Sequence, residues 1–354
     1  MQFERHMVFW IAALIAFAGL LWLLSPILLP FVLGMAIAYV LDPLADRLAK
    51  RGMSRLSAVL LILGAFVVAF ALLLLLIAPL LASQSSAFIG KFPSYAQRIK
   101  DLVSDPDHPW LKHIVGDNLG ADKSVGDLMN QAAGYLTQVL ASLWAKGQAL
   151  ISIFSLVVIT PVVAFYLLCD WDHMVDSVDR LIPLHRRKTV RGLVHEIDAA
   201  ISAYVRGQSG VCLILGSYYA VALTMAGLNF GLLIGVVSGL ISFIPYVGSL
   251  TALVLSLTVA VAQFFPEWTH IVIVGGIVLV GQFFEGNVLS PKLVGHSVGL
   301  HPVWLMFALF AFGYLFGFVG LLLAVPLAAA TGVLIRFALR RYLESPLYTG
   351  NGSL

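Results

Sequence analysis

An all-α integral membrane protein is the fold class this sequence predicts, with about six full transmembrane helices, two short helical hairpins and a small helical external domain. Three observations carry that expectation. Of 354 residues, 60% are hydrophobic and only 11% are charged, and the mean hydropathy is +0.96. Apolar runs of membrane-crossing length recur along the chain, and basic side chains collect in the short connections between them. The lipid bilayer is therefore the first partner. The 21 basic and 18 acidic residues are dispersed and form no nucleic-acid surface. Cys169 and Cys212, at the ends of two apolar runs, support neither a disulfide framework nor a thiolate metal site. No cofactor and no metal is expected.

The N-terminal part, residues 1–82, reads as three spans at about Met7 to Leu24, Pro26 to Leu41 and Leu56 to Ala82, the first a retained anchor rather than a cleaved signal. The loop from Asp42 to Arg55 carries Arg47, Lys50, Arg51 and Arg55, which makes it cytoplasmic by the positive-inside rule and puts the N-terminus inside too. Residues 83–148 are the one long polar stretch. Six basic and six acidic residues, with Pro93, Pro106 and Pro109, suit an external cap. Helical spacing at Tyr95, Ile99, Leu102 and Val103 gives that cap a first helix. His108 and His113 read as solvated loop rather than metal ligands.

Residues 149–210 return the chain inward through a fourth span, Ala149 to Cys169, kinked at Pro161. Basic residues between Asp170 and Gly210 mark the cytoplasmic side, and the apolar positions Val190, Leu193, Val194, Ile197, Ile201, Tyr204 and Val205 predict an amphipathic helix bearing Arg206 and Gln208. The core of residues 211–343 opens with a fifth span, Val211 to Gly227. A short helix from Phe230 to Ile244 then meets the uncharged turn IPYVG, so Pro245 and Gly248 are read as the tip of a re-entrant hairpin, an ordinary pair of short spans being the alternative. Gly231, Gly235 and Gly239 are expected to let the two arms of that hairpin approach. After an inward crossing from His270 to Phe284, a second hairpin turns at GYLFGFVG, and the chain ends at Arg336, Arg340 and Arg341 with a short tail, 344–354, placing the C-terminus in the cytoplasm. Short, Gly/Pro-interrupted hairpins around a crossing helix are what secondary transporters use.

Between those hairpins lies the polar segment Gly281 to Pro302. Gln282, Glu285 and Asn287 follow directly on an apolar run, where hydrocarbon makes an unpaired polar group costly, so they call for partners, water or a solute. Pro291, Gly295 and Gly299 are expected to interrupt the regular helix and leave backbone groups for a polar solute or a monovalent cation or proton. Lys292, His301 and Pro302 complete the candidate pathway. The bland alternative is a loop in which Glu285 pairs with Lys292.

The motifs AYVLDPLADRL (Ala38 to Leu48), FYLLCDWD (Phe165 to Asp172), EIDAAISAYVRGQ (Glu196 to Gln208), FIPYVG (Phe243 to Gly248) and EGNVLSPKLVGHSVGLHP (Glu285 to Pro302) resemble the autoinducer-2 exporter family over nearly the whole chain. The resemblance implies a multi-pass protein of the bacterial inner membrane and a homo-oligomer, with a pentamer as one candidate. It implies export of a small polar solute such as autoinducer-2, or alternatively sodium or lithium exchange for protons. The absence of a GxxxxGK[ST] loop argues against an ATP-driven pump. Gly207, Gln208, Ser209 and Gly210 give a serine-protease-like context with no histidine inside a helix opposite it, so no enzyme is expected. A membrane scaffold is the lesser alternative, and it has no need of Glu285 in a broken helix.

Overall fold

The computed structural model describes residues 27–104, 155–294 and 301–345 together with a few isolated positions beside them. Most of the first expected span, the cap beyond Ser104 with His108 and His113, and Gly295 and Gly299 lie outside the described residues. The described residues form helices joined by short turns, with no strand among them. Six of the helices are long and apolar enough to cross a membrane, or seven counting a bent pair, Leu156–Trp171 and His173–Arg180, that meets at 61°. The protein is a multi-pass membrane protein by that measure. The chain divides into two compact units, one of residues 1–67, 154–207 and 292–354, the other of residues 68–153 and 208–291.

In the first unit, α1 (Leu29–Ala49) starts with Pro30 in its first turn, where a missing N–H costs nothing. It does not stop at Leu41 as expected but runs on through Pro43 to Ala49, shortening the connection before α2 (Arg55–Ser104). The reason is a clamp that the charges of that loop conceal. Arg55 Nη2 donates to Asp42 at 2.8 Å, its Nη1 reaches Asp46, and its Nε donates to the Leu168 carbonyl at 3.0 Å. Asp42 and Asp46, one turn apart on α1, thus hold the start of α2 and the middle of α3 (Thr160–Arg180) in register. Behind them Ala38, Leu41, Ala45, Val59, Leu63, Ala164 and Leu168 make one buried cluster. A π-turn, Ser155–Ile159, precedes Pro161, so the ladder is already widened where the proline interrupts it.

Beyond its apolar part α3 ends in Asp179, which accepts from Arg187 Nε at 2.8 Å and from Arg191 Nε at 2.7 Å. The Arg191 and Arg187 guanidinium groups hold the Asp179 carboxyl well below the usual carboxylate range. A folded-state value lowered below the unfolded one gives a stabilisation that is complete above the ordinary carboxylate range and is lost as pH falls through the lowered value. The melting-temperature gap between wild type and Asp179→Asn should therefore hold constant from neutral pH to about 5 and shrink only in stronger acid. A gap already shrinking at pH 6 contradicts this.

Arg187 opens α4 (Arg187–Met225), a single helix of 39 residues. The expected amphipathic helix and fifth span are thus one element, roughly 58 Å long, too long to be confined to a hydrocarbon core of about 30 Å. Its polar first half stands out of the bilayer. There Glu196 pairs with Arg336 of α8 (Pro302–Leu343) at 3.6 Å. α8 is two helices meeting at Gly317, whose φ of 59° and ψ of −138° reverse the chain. A Cβ on Gly320 would lie 1.9 Å from the Phe312 carbonyl oxygen, positions about 12 Å apart in a continuous helix. That reversal is the second hairpin.

The second unit holds the remainder of α2 and α4 with α5 (Gly231–Ile241), α6 (Val247–Phe264) and α7 (Trp268–Phe284). α5 has 11 residues, about 16 Å, and cannot cross a bilayer alone. Its glycines correct an expectation. Cβ atoms on Gly231, Gly235 and Gly239 would lie 2.7, 2.1 and 2.3 Å from Thr224, Ala220 and Gly216, so the glycine face meets α4 and not the other arm of the hairpin. α6, the other arm, packs on α5 and α7. The hairpin entrance is fixed by side chains. Gln84 accepts from the Leu233 N–H at 3.0 Å, filling an orphan position in the first turn of α5, and Gln263 accepts from the Asn229 N–H at 2.8 Å. Phe230 takes a φ of 63° at the N-cap, its ring edge-on to Phe88 and Tyr95. Tyr95 also accepts from Asn229 Nδ2 at 3.1 Å. The helical spacing around Tyr95 therefore belongs to α2, which continues without a break through residue 82 to Ser104.

Candidate functional site

Within the second unit, polar groups gather where the α5–α6 hairpin turns. Buried Gln208 on α4 donates from Nε2 to the Ser242 carbonyl at 2.5 Å, and Gln282 on α7 makes a longer contact, 3.5 Å, with the Ser249 carbonyl. Two amides thus hold the two sides of the turn. Gly248 is buried at its centre, with a Cβ there placed 2.2 Å from Ser242 Oγ, so glycine is required to close the turn. Pro245 is half-buried beside exposed Tyr246, which adopts a φ of 67°.

Two tyrosines of α4 tie α7 into this arrangement. Tyr218 donates to the Ile277 carbonyl at 3.0 Å, and fully buried Tyr219 lies against Gly281, where a Cβ would be 2.4 Å from its hydroxyl. α7 then changes character. From Glu285 to Val294 the chain is a π-helix, so the segment departs from a regular helix without becoming a loop. Pro291 lies inside it, and the π pattern would need the N–H that proline lacks, leaving the Gly286 carbonyl without its i+5 donor. Glu285, half-buried, stands at the α-to-π transition, one turn beyond Gly281. Asn287 is exposed and donates from Nδ2 to the Phe283 carbonyl at 3.0 Å.

The remaining candidates belong to the first unit. Lys292 is exposed in the last turn of the π-helix, whose end is seated on α4, since a Cβ on Gly207 would lie 2.2 Å from the Leu293 carbonyl oxygen. His301 is the N-cap of α8, its Nδ1 accepting from the Val303 N–H at 3.3 Å, and Pro302 occupies N1. Those two residues have an architectural explanation. Arg206 reaches back along α4 to Ser202 Oγ at 2.8 Å and toward the Tyr39 carbonyl at 3.5 Å. Sequence reasoning missed Tyr218, Tyr219 and Gln84, each an amphipathic side chain in an apolar run, and gave Gln208 no partner.

A broken helix, a half-buried carboxylate and a hairpin arm too short to span suit a membrane transport protein better than a passive anchor. The sequence profile of AI-2E family transporters matches residues 11–340, and the chain belongs to that family. It is 29% identical to YrrI of Bacillus subtilis, classed by its name among transport proteins, over 91% of this chain and 90% of that one. Identity to PerM of Escherichia coli K12, whose name makes it a permease, is 27%, covering 89% and 88% of the two chains. It is 25% identical to the AI-2 transport protein TqsA of the same strain, over 90% of this chain and 86% of TqsA.

Proposed function

We propose that this protein exports a small polar solute of the autoinducer-2 kind across the bacterial inner membrane, by facilitation or at the expense of an ion gradient, from a cytoplasmic face that bears both termini. The observation that carries the reading is Glu285, a half-buried carboxylate at the point where a membrane helix turns from α to π, one turn beyond Gly281 and close in the chain to Gln282, which with Gln208 holds the hairpin tip. Rows of spent carbonyls offer a solute little, whereas a carboxylate and an under-satisfied π-helical backbone offer acceptors at membrane depth. Autoinducer-2 is rich in hydroxyl donors, and the name of TqsA makes it the solute to try first. The cation–proton exchange alternative draws no support from the names of these relatives.

Purified protein in liposomes loaded with autoinducer-2 is the test, with proton and sodium gradients imposed separately. Saturable release above protein-free liposomes is expected. Release no faster than from empty bilayers, together with sodium flux driven by a proton gradient, would replace this reading with exchange.

A further inference from the structure

The first unit contains a second polar concavity with no part in the pathway above, a cavity of about 190 Å³ between α1, α3 and α4. Its volume equals that of about six waters. Tyr39, Asp42, Trp171, Asp198, Ser202 and Arg206 supply its polar and aromatic lining. Asp198, Ser202 and Arg206 recur at every fourth position of α4 and so occupy one face. Arg206 folds back to Ser202 Oγ at 2.8 Å, which brings its guanidinium to within about one turn, roughly 6 Å, of the level of Asp198. Asp198 accepts the Tyr39 hydroxyl at 2.8 Å, and Trp171 stands edge-on to Tyr39 with ring centroids 6.3 Å apart. Among the described residues no ion pair joins Asp198 to Arg206, although both face the same small space.

The backbone explains why Arg206 is held there. Pro43 cannot donate to the Tyr39 carbonyl one turn before it, and Arg206 Nη1 points at that carbonyl from 3.5 Å. A carboxylate and a guanidinium kept apart across a small cavity, with an indole and a phenol beside the carboxylate, complement a molecule carrying both charges. An ammonium group placed between Asp198 and the aromatic rings gains a charge-assisted hydrogen bond and cation–π attraction, while a carboxylate meets the Arg206 fork and the Ser202 hydroxyl. A cation alone leaves Arg206 facing it, and an anion alone leaves Asp198. We infer that this cavity is a binding site for a small zwitterion of amino-acid size, independent of Glu285.

The test uses the full-length protein in nanodiscs with radiolabelled L-alanine, and propionate, ethylamine and glycerol as competitors. Saturable L-alanine binding is expected, at least about ten-fold weaker in Asp198→Asn and in Arg206→Gln, and unchanged in Glu285→Gln. Ser202→Val keeps both charges but narrows the cavity and releases Arg206 from its hydroxyl acceptor, and it should also abolish binding, so the result does not hang on the charge variants folding. Absence of saturable L-alanine binding by wild type overturns the inference. So does binding that survives Ser202→Val, or displacement by ethylamine or glycerol as effective as by unlabelled L-alanine, which would mark a cation or polyol site instead.

Discussion

Gly235→Leu should yield almost no folded protein, and Gly239→Leu should do the same. At Gly235 the first added carbon would meet the Ala220 nitrogen at 2.1 Å and its Cα at 2.4 Å, and at Gly239 it would meet the Gly216 Cα at 2.3 Å. The obstructing atoms are backbone atoms of α4, so no side-chain rotation relieves the clash and the two helices must separate. Overpacking of that kind costs about 1–3 kcal/mol even where a core can adjust, and more where it cannot. Membrane helices also depend on close approach, because lipid tails solvate apolar side chains as well as neighbouring helices do. Gly276 is the control, since nothing lies within 4 Å of a Cβ there. Gly276→Leu should be recovered in wild-type amounts, by detergent extraction and size-exclusion chromatography. Equal recovery of all three variants would contradict the α4–α5 contact.

Glu285→Gln is expected to fold normally and to transport poorly. The substitution keeps the shape of the side chain and its place at the end of α7, but replaces a charged acceptor with a neutral one. Hydrogen bonds to a charged group contribute about 1.5–3 kcal/mol, so the apparent KM for autoinducer-2 should rise by about ten-fold or more at similar protein levels. The pH profile adds a second readout. If the carboxylate carries a proton in each cycle, the variant's rate becomes insensitive to pH; if it only contacts solute, affinity alone changes. Unchanged KM, rate and pH profile would reduce Glu285 to a residue that ends a helix.

Length and hydrophobicity made the architecture legible from the sequence, because a bilayer imposes both. The short α5, the crossing helix α7 and the reversal near Gly317 all follow from apolar runs punctuated by glycine and proline. Helix ends were less legible. Asp42 and Asp46 read as loop residues by their charge, whereas their partner Arg55, thirteen and nine positions further on, keeps them in the α1 helix. The polar first half of α4 looked like a separate surface helix because periodicity reports which face is apolar and not where a helix stops. The candidate site was legible as a concentration of polar residues after an apolar run, but its partners were not. Gln208, Tyr218 and Tyr219 of α4 reach groups 34 to 59 positions away, and no local pattern encodes such a separation. The partner of the Gly231, Gly235 and Gly239 face was hidden for the same reason: spacing reveals a smooth stripe and leaves open which helix lies against it.

Asn287 offers the most direct measurement on the central claim that solute passes the π-helical segment. It is exposed, two positions beyond Glu285, and among the described residues its side chain bonds back to the Phe283 carbonyl one turn earlier, so Asn287→Cys should be tolerated. With Cys169 and Cys212 replaced by serine, Asn287→Cys in liposomes should react with a small water-soluble thiol reagent, and autoinducer-2 at saturating concentration should slow that reaction by about ten-fold while leaving a cysteine at Ser177 unaffected. A cysteine at 287 that never reacts, or that reacts at the same rate with and without autoinducer-2, would place the pathway elsewhere.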